Sequence, residues 1–361
     1  MNPRKPYNNL PKLPPKLKIT SEIGLKCSDA RAALAELKGA INIIPNPAVL
    51  INTIPLLETH SSNQIENVVT TQDNLFRFSA LDRLADPATK EALRYRTALR
   101  RTVGKPISIS LMEEICSIIK NKDINLRSKA LRIANERKET VYIPPDDKKV
   151  IHQLLTNWIK FADNSNIDPL VQMAVLHYQF EAIHPFPDGN GRTGRILNLL
   201  FLVQKKLLDL PILYLSRYIL ENRTEYYTLL KQVTEQKNWS AWVLYMLSAV
   251  KQTSVWTLHH IQSVKKLMDH TKKYIKETLN APHYRGLLLE VLFTYPYCRS
   301  YNLQELGIKS PITSRKYLRQ LVDLGILKEE KVGKELVFIH EKYLKLLMNT
   351  RHTFDEYQLK Q

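Results

Sequence analysis

Cysteine, glycine and long apolar runs are all scarce in this 361-residue chain. The three cysteines, Cys27, Cys116 and Cys298, are odd in number and far apart. They form neither a disulfide framework nor a metal-ligand spacing, and suggest a reducing cytoplasm. No stretch of about 18 or more apolar residues occurs, so no membrane-spanning helix and no membrane partner are expected. The N-terminal MNPRKPYNNLPKLPPKLK is basic and proline-rich with no apolar segment, which does not read as a signal peptide. Acidic residues are also in deficit, 35 Asp+Glu against 53 Lys+Arg, for a net charge of +18. That balance suits an anionic partner such as nucleic acid, a nucleotide or an acidic protein surface. The excess is spread through the chain, 34 bases against 24 acids over residues 1–250 and 19 against 11 over 251–361. Charge alone therefore locates no site.

What is present is mostly helical pattern. After an extended, proline-punctuated arm over 1–20, helices are expected in DARAALAELKGAI, in NPAVLINTIPLLETHSSNQIENVV, in DPATKEALRYRTALRRTV and in ISLMEEICSIIK. The Thr140-Val141-Tyr142-Ile143 segment, stopped by Pro144-Pro145, reads as a short hairpin or edge strand. Helices follow in DKKVIHQLLTNWIKFAD and in DPLVQMAVLHYQFEAI, the second opened by an Asp cap and a first-turn proline. GRILNLLFLVQKKLL is apolar on nearly every face and belongs in a core. Two more helices are expected over 217–250, and a long connecting helix over 251–280. From about Ala281 the order is helix, helix, helix and a two-stranded wing turning at Gly333. That order resembles a winged helix-turn-helix domain whose third helix would present Ser314, Arg315, Lys316 and Arg319, which makes DNA a candidate partner.

Although the chain has only ten glycines, Gly189, Gly191 and Gly194 fall within six residues of one another. They match G-x-G-x-x-G, but a dinucleotide fingerprint needs a preceding strand, and here a helical pattern precedes. No Walker-type G-K-[ST] occurs either. The physical reading stands without that label. Glycines let backbone N–H groups converge into an anion nest, and the helix that follows adds its free N–H groups and positive dipole end. Arg192 and Arg195, three apart, share a face and suit phosphate oxygens. Asp188 is placed to share a Mg²⁺ with phosphates, and His184 suits a general base. Phe186 should anchor the loop in the core.

Here HPFPDGNGRTGR resembles the Fic family signature H-x-F-x-[D/E]-G-N-G-R-x-x-R at every fixed position. The flanking helices and TVYIPP extend the resemblance over roughly residues 101–250. It implies a mainly α fold, with a Fic-type helical core, a short β-hairpin flap and the C-terminal winged helix-turn-helix. The expected divisions are 1–100, 101–250 and 251–361. The implied activity is transfer of AMP from ATP to a Ser, Thr or Tyr hydroxyl of a target protein, or of the chain itself. In that scheme His184 deprotonates the hydroxyl, Asp188 holds Mg²⁺, and Gly189, Asn190 and Gly191 form the anion hole. Arg192 and Arg195 hold the outer phosphates, within a nucleotide-binding run that includes Thr193 and Gly194. Thr140, Val141, Tyr142 and Ile143 look like the flap that docks the target by strand addition. ENRTEYY resembles the stretch that closes over the base, which adds Asn222 and Tyr227.

Upstream, SSNQIEN is similar to the family's [S/T]-x-x-x-E-[G/N] inhibitory helix, with Ser62, Glu66 and Asn67 at its fixed positions. Glu66 reaching Arg195 would neutralise the arginine meant for the γ-phosphate. Two alternatives stay open: a transferase of this fold with another nucleotide donor, and a DNA-binding regulator working through the C-terminal unit. A homodimer is also left open.

Overall fold

The computed structural model describes residues 5–134, 139–164 and 166–358. Their architecture is mainly helical, with two small antiparallel sheets. The arm before the first helix is tied down. Leu10 and Leu13 are buried, the Leu13 amide donates to Asn157 Oδ1 at 2.7 Å, and Gln179 Nε2 donates to the Pro11 carbonyl. Helices α1 (Ser21–Ala40), α2 (Ala48–Ile65), α3 (Gln72–Ser79), α4 (Pro87–Thr102) and α5 (Ile109–Lys120) follow. Short polar caps start several of them: Thr20, Thr71, Asp86 and Ser108 each accept a first-turn amide hydrogen. Helix α2 runs through Pro55 and stops at Ile65, so Glu66 caps it instead of lying inside it.

The expected flap is a hairpin of β1 (Ile133–Ala134) and β2 (Thr140–Tyr142), with Ile133 opposite Tyr142. Ile143 lies just beyond the strand and is buried. The core is built around α7 (Pro169–Ile183), whose residues are buried on every face. Against it pack α6 (Lys148–Asp163) and α8 (Asn190–Gln204). The Trp158 indole N–H reaches from α6 to the Leu176 carbonyl at 2.8 Å. Two short helices, α9 (Leu215–Glu221) and α10 (Arg223–Gln236), lead to α11 (Trp239–Thr278). The two helices expected either side of residue 250 are thus one 40-residue helix. Nothing breaks it, because LSAVKQTSV holds neither glycine nor proline. Its first turns pack on α7, and Trp242 Nε1 donates to the Ala174 carbonyl at 2.7 Å. Helix α1 lies along it.

The C-terminal unit comprises α12 (Arg285–Thr294), β3 (Tyr297–Cys298), α13 (Ser300–Glu305), α14 (Pro311–Asp323), β4 (Lys328–Val332), β5 (Glu335–Ile339) and α15 (Glu341–Met348). The expected wing is the β4–β5 hairpin, and β3 adds a third strand in the order β3-β5-β4. On α14, Arg315, Lys316 and Arg319 are exposed as expected, but Ser314 is not. It is fully buried, its hydroxyl donating to the Ile308 carbonyl, so it holds the α13–α14 turn instead of facing a partner. Arg319 is engaged by Glu329 at 3.3 Å. No described helix is long and apolar enough to cross a membrane.

Candidate active site

The C-terminus of α7 sets the geometry. A helix end leaves its last carbonyls without intrahelical donors, and buried ones must find partners. Here each is accounted for. The His184 amide bonds the Phe180 carbonyl, and the His184 ring Nδ1 sits 3.3 Å from the Glu181 carbonyl. The Tyr142 hydroxyl, from the flap, donates to the Ala182 carbonyl at 2.7 Å. Arg127 Nε donates to the His184 carbonyl at 2.8 Å, its Nη2 lies 3.3 Å from the Ile183 carbonyl, and its amide donates to the Pro185 carbonyl. His184 itself adopts the left-handed region, with φ 49° and ψ 59°. For a non-glycine residue that conformation persists only when its surroundings impose it. Burial pushes the His184 imidazole down to about 4, the nearby carbonyl of Glu181 opposing the shift. The ring is therefore neutral at pH 7. With Nδ1 directed at the Glu181 carbonyl, Nε2 is left as the basic nitrogen.

The loop that follows is stapled from within. Phe186 is fully buried, its amide donating to Asn190 Oδ1, while Asn190 Nδ2 returns to the Phe186 carbonyl, each at 2.8 Å. Asn190 was expected to help hold an anion. Both ends of its side chain are instead spent on the loop, and what it offers an anion is backbone. Gly189 turns the chain at φ +84°, a conformation a side chain would strain. Its amide is taken by Asp188 Oδ1 at 2.6 Å, so it too differs from the expected anion donor. Thr193 N to the Gly189 carbonyl is the first bond of α8. The amides of Asn190, Gly191 and Arg192 precede it and by position have no acceptor within the helix.

This helix start opens on a cleft of about 940 Å³ whose walls include Glu66, Tyr142, Glu181, His184, Gly191 and Tyr227. Base, helix N-terminus, flap and the expected inhibitory glutamate therefore meet in one place. A Cβ at Gly191 would meet Glu66 Oε1, the end of a flexible side chain, so a larger residue here would push the glutamate aside. Arg195 lies behind Glu66, 1% exposed. Its Nη2 donates to Glu66 Oε1 at 2.8 Å and to the Ser62 carbonyl at 2.9 Å, and its Nε donates to Ser62 Oγ at 2.8 Å. Burial opposes the Arg195 charge, but Glu66 together with Tyr226 and Tyr95 outweighs it, and the pKa is raised.

Several sequence expectations need correction. Arg192 faces the end of α2 with Arg195, but it is 3% exposed and fixed by Asn63 Oδ1 at 3.2 Å and Glu91 Oε1 at 2.9 Å. It does not reach the cleft wall. Thr193 and Gly194 are packed into the core, Gly194 against Phe180, His177 and Glu181, and neither lines the cleft. Asn222 turns its amide onto the Tyr218 carbonyl and serves the α9–α10 junction, whereas Tyr227, 46% exposed, does line the cleft. Asn67, at φ 59°, points to Arg223 Nη1 at 3.4 Å instead of either motif arginine. Asp188 is largely exposed and paired with Lys120 Nζ at 2.6 Å.

Other residues went unread in the sequence. Arg127, Asn63, Glu91 and Lys120 carry no local pattern, and only their partners reveal them. Glu181 sits one turn before His184 with its Oε1 buried and without a hydrogen-bond partner among the described residues. Burial pushes its carboxyl up to about 8, with Arg195 pulling the other way.

Comparison with known proteins agrees with this geometry. The family description "Fic/DOC family N-terminal" matches residues 25–104, "Fic/DOC family" matches 106–202, and "Protein adenylyltransferase SoFic-like, C-terminal domain" matches 267–343. The chain belongs to the Fic/DOC family. A probable protein adenylyltransferase of Aquifex aeolicus is 38% identical over 76 residues, 21% of this chain and 23% of that protein. A protein adenylyltransferase of Caenorhabditis elegans is 34% identical over 90 residues, 24% of this chain and 16% of that protein. The match thus spans less than a quarter of the length of either relative. Among solved structures, a Fic family protein from Desulfovibrio desulfuricans G20 superposes with a TM-score of 0.59 at 19% identity. That match covers 91% of this chain and 98% of the other. Fic-1 of C. elegans superposes at 0.51 with 18% identity, covering 67% and 74%. At such identities the likeness establishes the Fic fold over nearly the whole chain.

Proposed function

We propose that this chain is a protein adenylyltransferase that transfers AMP from ATP to a hydroxyl of a protein, and that Glu66 holds it inactive. One observation carries the reading. The Glu66 carboxylate lies against Gly191, at the open N-terminus of α8, and is bound by Arg195. A negative group already occupies the place where unfilled N–H groups and a buried cation favour an anion. The relatives are named protein adenylyltransferases, which supports the transfer itself.

In the active form Glu66 leaves, and the triphosphate takes its place on Arg195 and the α8 amides. The target segment lies beside β2, its hydroxyl next to His184. Nε2 takes the hydroxyl proton while the oxygen bonds to the α-phosphorus and the bond to pyrophosphate breaks. Asp188 suits a Mg²⁺ ion, because one exposed carboxylate plus phosphate oxygens and water is an ordinary donor set for that metal. Lys120 must then release it. The ion would neutralise charge on the phosphates. The shape of the cleft does not by itself choose the base, so a nucleotide panel belongs in the test.

Incubating the Glu66→Gly variant with labelled nucleoside triphosphates and Mg²⁺, and reading intact mass, should show AMP-sized additions from ATP. The wild-type chain should show far fewer. Additions that persist after His184→Ala, or none in Glu66→Gly, would falsify the reading. Additions from a different triphosphate would keep the chemistry and replace ATP as donor.

A further inference from the structure

We propose that Arg127 is a positioning residue that locks His184 and the target-docking flap together as one unit. The inference rests on His184 being the base. Arg127 is 4% exposed, and the hydrogen-bond partners of its guanidinium among the described residues are all backbone carbonyls. They come from three segments. Ile183 and His184 end α7, Pro145 ends the flap, and Lys129 belongs to the segment that leads into β1. Its own amide adds the Pro185 carbonyl. Burying a cation on carbonyls alone is costly unless its donors are fully used. Arginine suits this place because its rigid fork presents five N–H groups at fixed angles, where lysine offers three from a single point.

Two consequences follow from the geometry. His184 is held in the left-handed region by a bond to its own carbonyl, so the ring direction depends on Arg127. The flap meets the same helix end twice, through Arg127 to Pro145 and through the Tyr142 hydroxyl to Ala182. A target strand laid on β2 is thereby placed at a set height relative to His184 Nε2. No nucleotide-binding group touches Arg127, so its loss should affect transfer and spare nucleotide affinity.

The experiment uses full-length protein and the Arg127→Lys substitution, which keeps the charge and loses the fork. In the Glu66→Gly background, kcat for self-labelling should fall about a hundredfold, the usual cost of a misplacement near 1 Å, with KM for ATP unchanged. In parallel, the ring signals of His184, assigned by their disappearance in His184→Ala, should shift in the NMR spectrum of Arg127→Lys. The signals of the buried and distant His260 and His340 should stay in place. A rate that holds, a loss confined to KM, or a fall in rate with the His184 signals unmoved overturns the proposal. If Glu66→Gly transfers nothing at all, the function proposed above fails. The spectra then decide the Arg127 contact alone: shifted His184 signals uphold it and unmoved ones overturn it.

Discussion

At the scale of the residue, His184 shows how far position outweighs type. An ordinary histidine titrates near 6.5, where protonation would already compete with proton abstraction at slightly acid pH. Burial penalises the imidazolium, which lowers the pKa to about 4, so the neutral form prevails everywhere above that value. For a general base this fixes the direction of the pH dependence. The Glu66→Gly variant loses a carboxylate that opposes this shift, so its kcat/KM for ATP should show no inflection near 6.5 and stay flat through neutrality. Initial rates of labelling across that range check it, and an inflection near 6.5 would contradict the buried base. The histidine itself was legible from its place four residues before Asp188. Its left-handed backbone was not, because that conformation is imposed by Arg127, 57 residues earlier.

At the scale of the element, the end of α2 decides how Glu66 meets Arg195. The sequence reads SSNQIEN as helix, yet the helix stops at Ile65. Glu66 becomes its cap and Asn67 turns left-handed at φ 59°. That turn explains why the pattern asks for glycine or asparagine after the glutamate: both enter this region at little cost. Asn67→Gly should therefore leave basal labelling as low as in the wild type. Asn67→Val should destabilise the turn by about 1–2 kcal/mol and raise basal labelling as Glu66 loses its fixed approach to Arg195. Urea unfolding reads the first effect and intact mass the second. The same last turn engages both motif arginines, through Asn63 to Arg192 and through Ser62 and Glu66 to Arg195. The pattern revealed one of those arms and left Asn63 unread.

At the scale of the whole molecule, the C-terminal unit is docked beside the segment that carries Glu66. Helix α3 begins five residues after Asn67 and carries Asp73 and Arg77. The Tyr297 hydroxyl donates to Asp73 Oδ1 at 2.5 Å, Arg77 Nη1 bonds Glu330 Oε1 at 2.9 Å, and the Arg77 guanidinium lies 5.3 Å from the centre of the Tyr297 ring. Asn46 adds a bond from the start of α2 to Glu290 on α12 at 2.6 Å. These contacts are partly buried, so their loss leaves charged groups poorly paired. Arg77→Ala should lower stability by about 2 kcal/mol, as expected for a hydrogen bond to a charged group, read by denaturant unfolding of the full chain. An unchanged midpoint would mean that the unit is held by its apolar contacts alone.

The sequence by itself determined what consecutive residues can encode. The His184–Arg195 motif, the Asp168-Pro169 and Ser310-Pro311 helix starts and the burial of Phe186 are all written within a few positions, where spacing and backbone preference act directly. Tertiary structure decided which of those groups are free to act. Arg192 is withdrawn by Glu91 from 101 positions away, and Arg195 is covered by Glu66 from 129 away. Such pairings leave no local trace, because a charge carries no signature of its partner until folding brings the two within hydrogen-bonding distance.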